Sequence, residues 1–315
     1  MKNQTVSEFI LVGLTSSPGL QTLLLWVFAF IYTIALTGNL LLMFTICTCK
    51  KLHTPMYFLL INLSLVNVLS ISITMPKMLQ NLGTHRKSIS FHGCFTQVHL
   101  FVWALVTELL ILTFMAFDRY AAICHPLHYT LIMRKEMCIG ITVSIWFVGL
   151  ANSTFHVVLL LQLSFCNSSI INSFFCDYPA LLKSSCSDFS LNETLTYVSA
   201  VIFGVCTCGL TLTSYLFILR AVFRIRSAEG KKKAFSTCSS HLTIVSFYFS
   251  SAIYNYMRAG TSSSVEKDKL VSLVYSVVTP VVNPIIYSLR NKDVKEALRS
   301  LTRRDLLPET LKTQS

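Results

Sequence analysis

The sequence predicts an all-α membrane protein: a bundle of seven transmembrane helices with its N-terminus outside the cell and its C-terminus inside. Charged residues make up 13% and hydrophobic residues 53% of the chain, whereas soluble domains carry about 25% charged residues. The mean hydropathy is +0.61. Seven stretches almost free of charge are each long enough to cross the hydrocarbon core, which takes about 20 residues. Because backbone polar groups in lipid must bond within their own segment, we interpret each stretch as a helix.

The seven predicted helices follow one another with short connections. The third continues past Glu108, the only acid deep within a predicted span. The uncharged stretch that begins at residue 137 ends in polar loop sequence, so its helix is expected to stop near residue 162. We predict an extracellular segment 1–20, a membrane domain 21–289 and a cytoplasmic tail 290–315, with helices at about 22–49, 56–80, 91–124, 138–162, 194–226, 234–258 and 269–289.

The basic residues predict the orientation of the chain. With the N-terminus outside, 18 of the 26 Lys and Arg residues lie in inner segments, as the positive-inside rule requires. Contact of these residues with anionic membrane lipids accounts for most of the net charge of +12, so nucleic acid is not expected as a partner. The first 20 residues lack the pattern of a removable signal peptide. Asn3, in an Asn-Gln-Thr sequon, is a candidate glycosylation site.

Four of the 11 cysteines fall outside the membrane in this topology, namely Cys94, Cys166, Cys176 and Cys186. Four cysteines in an oxidising compartment predict two disulfides, for which three pairings exist. Cys94 opens the third helix and the other three lie on one loop, so one of the three is expected to join that loop to the helix. The spacing leaves open which one does so.

Catalytic and metal-binding signatures are absent from the sequence. It contains no G-x-S-x-G, H-E-x-x-H or P-loop pattern. The eight histidines are scattered and no C-x-x-C pair occurs. The sequence therefore predicts neither an enzyme nor a metal site nor a cofactor. A transporter or channel is a second alternative, but internal repeats and rows of intramembrane polar residues, which such proteins commonly show, are not seen.

Three features within the membrane domain are candidate functional sites. Asp118, Arg119 and Tyr120 lie where the third helix meets the cytosol, where a neutral acid–base pair could release its arginine; an interfacial anchor is the alternative. Asn283 and Pro284 open the Asn-Pro-Ile-Ile-Tyr segment that ends at Tyr287, where proline kinks the helix; a tolerated kink is the alternative. Glu108 could form a polar core with Asn67 or Asn283, either as a proton or sodium site or as a protonated hydrogen-bond donor.

Several longer blocks resemble the rhodopsin-like G-protein-coupled receptors, and within them the olfactory receptors of the class II, tetrapod type. D-R-Y and N-P-x-x-Y are shared with many receptors, whereas the blocks Leu52–Phe58, Met115–Cys124 and Lys233–Leu242 are specific to olfactory receptors. The resemblance runs from about residue 8 to 301 and rests on Gly38-Asn39, Leu52–Phe58, Met115–Cys124, Ser214-Tyr215, Lys233–Leu242 and Asn283–Asn291.

The resemblance implies a seven-helix fold followed by a short amphipathic helix on the membrane surface near 291–301. It implies the disulfides Cys94–Cys176 and Cys166–Cys186, with Cys94–Cys186 as the alternative. It further implies that Arg119, Tyr215 and Tyr287 rearrange on activation and that the inner face binds a stimulatory G protein, raising cAMP. The implied location is the plasma membrane, in the cilia of olfactory sensory neurons.

The resemblance also implies a set of ligand-binding positions within the bundle. Most are apolar and four offer hydrogen bonds, which suits a small neutral volatile odorant. An amine or carboxylate ligand is disfavoured because burying an unpaired charge is costly. The implied positions are Phe101, Val102, Leu105, Val106, Ser199, Phe203, Ser251, Asn255, Leu273 and Ser276.

The sequence departs from the family pattern at three positions. Asn67 replaces the usual Asp of the second helix, Phe117 replaces the Tyr before Asp-Arg-Tyr, and Phe249 replaces the Gly after Phe-Tyr in the sixth helix. The first change removes one of two acids expected near Glu108. It therefore weakens the expectation of a sodium site.

Overall fold

A computed structural model of the chain describes residues 7–84, 87–165, 169–224, 227–257 and 265–306. The structure is mostly helical, and six helices within the described residues are long and apolar enough to cross a membrane. They are α1 (Pro18–Thr48), α2 (Pro55–Thr84), α3 (Phe91–Cys124), α4 (Lys135–Leu161), α5 (Ser190–Arg224) and the Glu266–Tyr287 part of α7 (265–290). Helix α6 (Ala228–Met257) packs between them, and α8 (Lys292–Leu306) follows α7.

Helices α4 to α7 begin two to six residues before their uncharged stretches, whereas α1 begins within one. Helix α1 begins at Pro18, because proline fits the first turn, where its missing N–H is not needed. Helix α4 begins at Lys135 and α5 at Ser190, so their first turns carry Glu136 and Glu193. A search for uncharged residues cuts off such turns at the membrane boundary. Helices α5 and α7 also each contain a short π-helical segment, Ala200–Cys206 and Val274–Val278.

A small three-stranded sheet was missed by the all-α prediction. Strand β1 (Glu8–Leu11) lies between β2 (Ser88–Ser90), which it pairs with antiparallel, and β3 (Ile170–Ile171), which it pairs with in parallel. Strands of two to four residues are too short to show the alternation that reveals a strand in sequence. The sheet lies beside the first turn of α3, at the end of the bundle that carries the Cys94–Cys176 disulfide. We call this the disulfide end.

Helix α3 forms the centre of the bundle. It packs against α2, α4 and α5. In its most apolar 18-residue segment, 72% of the residues are buried, compared with 22% in the corresponding segment of α1. Large apolar side chains on the outer helices, such as Trp26, Phe30 and Phe147, are exposed on the surface of the bundle. Exposed apolar surface on this scale is characteristic of helices that face lipid rather than water.

Candidate functional site

A cavity of about 40 Å³ lies between α3, α4, α5 and α6 near the disulfide end. Its walls are mainly apolar, and five of the ten implied ligand positions line it, namely Val102, Leu105, Val106, Ser199 and Phe203. Ligand pockets usually span about 300–1,000 Å³. The side chains that line this cavity must therefore move apart to admit a molecule of odorant size.

The other five implied positions do not line this cavity. Phe101 instead packs edge-on against Phe175 and lies 5.7 Å from the Tyr275 ring, so aromatic side chains fill the space towards α7. The Ser251 hydroxyl donates to the Phe247 carbonyl at 2.7 Å. Three more positions lie on α6 and α7: Asn255 donates to Asp177 and Tyr275, Ser276 donates to the Ser272 carbonyl, and Leu273 packs at the edge of the main core.

Helix α4 contributes to the cavity, and the sequence analysis missed this. His156 and Asn152 both line the cavity. The His156 Nε2 atom lies 2.8 Å from the Ser199 hydroxyl, which donates to the Asn152 Oδ1 atom at 3.2 Å. The available signal was a histidine within an otherwise apolar stretch, but a lone histidine there is more often a satisfied core residue.

Asp177 is a second residue that the sequence analysis missed. Its side chain is buried and accepts four hydrogen bonds. The donors are the Tyr178 backbone N–H at 2.8 Å, the Asn255 amide at 3.0 Å, and the hydroxyls of Tyr256 at 3.1 Å and Tyr275 at 2.6 Å. Burial raises the pKa of the Asp177 carboxyl above its ordinary value, and the four donors offset part of this rise. Asp177 thereby joins the loop after α4 to both α6 and α7.

The local sequence around Asp177 explains how it reaches this position. Asp177 is the N-cap of the short helix Tyr178–Leu182, in which proline occupies the first turn. The preceding residue, Cys176, is bonded to Cys94 in the first turn of α3. An Asp followed by Tyr-Pro was therefore a readable sign of a helix start, although its partners on α6 and α7 were not readable.

The Cys94–Cys176 disulfide confirms the pairing that the resemblance implied. It also excludes the alternative Cys94–Cys186 bond, because each cysteine forms one disulfide. The loop is held further by Gln97, which accepts from the Cys176 N–H at 2.8 Å and donates to the Ile73 carbonyl at 2.8 Å. Cys166 and Asn3 lie outside the described residues, so the Cys166–Cys186 bond and the glycan remain predictions.

A ladder of buried polar side chains crosses the middle of the bundle. The Asn283 amide donates to the Glu108 carboxyl at 3.3 Å and to the Asn67 carbonyl at 3.1 Å. Asn67 in turn donates to Asn39 at 3.3 Å, and Asn39 donates to the Pro280 carbonyl at 2.9 Å. Of the two partners considered for Glu108, the structure thus brings Asn283 into contact with it and places Asn67 one step further along.

The opposite end of the bundle, which we call the Arg119 end, does not contain the expected acid–base pair. Asp118 and Arg119, both among the described residues, form no ion pair with each other. Asp118 instead accepts from the Tyr129 hydroxyl at 2.8 Å, and the Tyr120 hydroxyl lies 2.9 Å from a ring nitrogen of His125. Successive residues on a helix point about 100° apart, so neighbouring side chains cannot easily meet.

Arg119 lies instead beside side chains from three other helices. Its electrostatic neighbours are Tyr215 on α5, His241 on α6 and Tyr287 on α7. The Tyr215 hydroxyl lies 2.8 Å from the His241 Nδ1 atom. Three buried polar atoms in this group have no hydrogen-bond partner among the described residues: Arg119 Nε, His241 Nε2 and the Tyr287 hydroxyl. Pro284 lies one turn earlier in α7, close to Gly38 of α1.

A sequence model of a protein family described as Olfactory receptor matches residues 28–304 of this chain. The chain belongs to the olfactory receptor family. Human Olfactory receptor 13G1 is 42% identical over 96% of this chain and 98% of its own length. Human Olfactory receptor 13A1 is 44% identical over 96% and 92%, and mouse Olfactory receptor 5AP2 is 47% identical over 95% of both chains. The chain is thus a multi-pass plasma-membrane receptor and not an enzyme.

Proposed function

We propose that this olfactory receptor binds a small, neutral and largely apolar volatile odorant in the cavity between α3, α4, α5 and α6. The observation that carries the proposal is the apolar cavity itself, which contains five positions that the family resemblance implied. A ligand of about ten heavy atoms has little surface to bury, so its affinity is expected to be weak.

The chemistry around the cavity supports a neutral ligand. No described Asp or Glu lines the cavity, and Asp177, which bonds to the lining residue Tyr256, already accepts four hydrogen bonds and has little capacity left for an amine. An ionised ligand in the apolar cavity would lack a partner of opposite charge, and burying such a charge is costly.

The second part of the proposal concerns orientation. The disulfide end faces the outside of the cell and the Arg119 end faces the cytosol, because most basic residues lie in segments at the Arg119 end. An epitope tag before Asn3 is expected to stain intact cells, and a tag after Ser315 to stain only permeabilised cells. The reverse pattern would contradict this orientation.

The third part concerns signalling. Odorant binding shifts the bundle towards an arrangement in which the Arg119 end binds a stimulatory heterotrimeric G protein, which raises cAMP. Asp118, Arg119, Tyr120 and Tyr215 face this end, while Asn283, Pro284 and Tyr287 connect it to the polar ladder around Glu108. We expect the receptor to work in the cilia of olfactory sensory neurons.

The test is an odorant panel applied to cells that carry the receptor at their surface. At least one neutral odorant is expected to raise cAMP, and Val106→Trp, which fills the cavity wall with a larger side chain, is expected to abolish that response at equal surface level. An odorant-dependent ion current in the absence of a cAMP rise would instead favour a channel or transporter.

A further inference from the structure

His156 lines the cavity, and one of its two ring nitrogens is buried without a partner among the described residues. The residue is 4% exposed, and its Nδ1 atom has no hydrogen-bond partner within the described part of the chain. Among the described residues that line the cavity, no other has a buried polar atom left without a partner. Leaving such an atom unpaired costs free energy, because the atom has lost its bonds to water. A group that occupies the cavity and pairs with this atom would recover that free energy.

The hydrogen bonds on the other side of the ring determine what kind of group can pair with Nδ1. The Asn152 Oδ1 atom can only accept, so the Ser199 hydroxyl uses its one proton to donate to it. The Ser199 oxygen must then accept from His156 Nε2, which therefore carries a proton. A buried imidazole without a counter-charge is neutral. Nδ1 consequently has a lone pair and accepts hydrogen bonds.

We propose that the preferred odorants of this receptor carry a hydroxyl group that donates a hydrogen bond to the His156 Nδ1 atom. The inference rests on the proposed function, since it names the ligand class of the same cavity. An aldehyde, ketone or ether oxygen has no proton to donate and would meet the nitrogen lone pair with its own lone pairs. The remainder of the ligand is apolar, because Val102, Leu105, Val106 and Phe203 form most of the surrounding wall.

Other polar residues near the cavity are already engaged in bonds within the protein. Thr196 donates to the Asn192 carbonyl at 2.7 Å, and the Tyr256 hydroxyl donates to Asp177. The selection of a hydroxyl group therefore depends on His156 and on the Ser199–Asn152 pair that sets its protonation.

The experiment compares medium-chain primary alcohols with the matched aldehydes and methyl ethers in a cAMP assay on intact cells. The wild-type receptor is expected to respond to the best alcohol at a concentration about tenfold lower than to its aldehyde or ether, which is the expected effect of one buried hydrogen bond. His156→Phe is expected to remove this preference, because phenylalanine keeps the ring but has no acceptor. His156→Gln keeps an acceptor oxygen and is expected to retain part of the preference.

His99→Phe is the matched control. His99 on α3 also pairs with a serine on α4, since its Nδ1 atom lies 2.9 Å from the Ser153 hydroxyl, but it does not line the cavity. This variant is expected to keep the alcohol preference. All variants are compared at equal surface level, and if His156→Phe does not reach the surface, His156→Leu, which also lacks an acceptor, takes its place.

Two results would overturn the inference while leaving the proposed function intact. One is a wild-type receptor that responds to aldehydes or ethers at least as well as to alcohols. The other is a His156→Phe receptor that keeps the full alcohol preference. A surface-expressed receptor that raises cAMP with no odorant of a broad panel would overturn the proposed function, and the inference with it.

Discussion

The two ends of the bundle differ in how their buried polar groups are paired. At the disulfide end, Asp177 accepts four hydrogen bonds and Gln97 uses both its amide oxygen and its amide nitrogen. At the Arg119 end, polar atoms of Arg119, His241 and Tyr287 are buried without partners among the described residues. Both ends therefore carry buried polar side chains, but three such unpaired atoms lie close together only at the Arg119 end.

This difference indicates where the receptor is rigid and where it can rearrange. Paired groups and a covalent bond hold one arrangement of the loop over the cavity, whereas each unpaired buried group costs about 1–3 kcal/mol until something binds it. A movement of α5, α6 or α7 that lets Arg119 and Tyr287 find partners would lower this cost. The proposed contact with a G protein would be one way to complete these bonds.

The largest expected effect comes from breaking the covalent link of the disulfide end. Cys94→Ser removes its bond to Cys176, and loss of a disulfide in such a position costs about 2–5 kcal/mol. We expect surface expression, measured by flow cytometry with an N-terminal tag, to be lost. Cys138→Ser is the control, since Cys138 is a buried free cysteine. Equal losses in both variants would mean that the disulfide does not distinguish this end.

The second-largest effect is expected from substitutions at the Arg119 end, which should change signalling rather than surface expression. Arg119→Ala is expected to reach the surface but to lose the odorant-evoked cAMP rise, because its removal deletes a charge without touching the cavity. Tyr287→Phe removes only a hydroxyl that has no hydrogen-bond partner among the described residues, so the surface level should not fall while the cAMP response weakens. A normal cAMP response of Arg119→Ala at matched expression would show that Arg119 is only an interfacial anchor.

A substitution of Asp177 weakens the disulfide end by removing hydrogen bonds while leaving the disulfide in place. Asp177→Ala leaves three side-chain donors on α6 and α7 without their acceptor, and we expect a loss of about 2–4 kcal/mol in the free energy of unfolding. The measurement is the melting temperature of purified receptor in detergent. Lys183→Ala is the control, because it removes only an exposed ion pair with Asp268 from the same loop region. If the melting temperature of Asp177→Ala falls no further than that of Lys183→Ala, Asp177 does not hold the loop to α6 and α7.

The raised pKa of Asp177 predicts the direction of a pH dependence. The Asp177 carboxyl binds its proton more tightly in the folded receptor than in the unfolded chain. Its contribution to stability is therefore fully present below the unfolded pKa of about 3.9. It falls as the pH rises through the higher pKa of the folded state. The melting temperature of the wild type should therefore fall relative to Asp177→Asn as the pH is raised from about 4 to 7. If the melting temperature of the wild type instead rises relative to Asp177→Asn over this pH range, the pKa of Asp177 is not raised in the folded receptor.

The smallest effect concerns the polar ladder between the two ends. Glu108→Gln keeps an oxygen that can accept from Asn283, so surface expression and much of the signalling should persist. Glu108→Ala removes this acceptor and should cost about 1–3 kcal/mol. Asn67→Asp restores the acidic pair of the family and should make the cAMP response depend on sodium concentration. If Glu108→Gln signals no better than Glu108→Ala, Glu108 acts through its charge and the hydrogen-bond account fails.

Much of the architecture followed from the sequence. A hydrocarbon core of constant thickness requires helices of nearly constant length and low charge, so the spans could be read from uncharged stretches alone. The blocks Leu52–Phe58, Met115–Cys124 and Lys233–Leu242 predicted the family, and the resemblance implied the Cys94–Cys176 disulfide before any geometry was available. These features are local in sequence, or are imposed by the membrane.

The candidate site was only partly predicted, because its residues come from segments far apart in the chain. Asp177 meets Asn255 and Tyr275 across 78 and 98 residues, and its own neighbours indicate nothing beyond a helix start. The His156 nitrogen without a partner in the described structure, and the pairing of Asp118 with Tyr129 in place of Arg119, likewise depend on side-chain positions between packed elements. Hydrophobic patterning sets which residues form a helix, whereas the partner of each buried polar group is decided by how the helices pack, since a hydrogen bond forms only within about 3 Å.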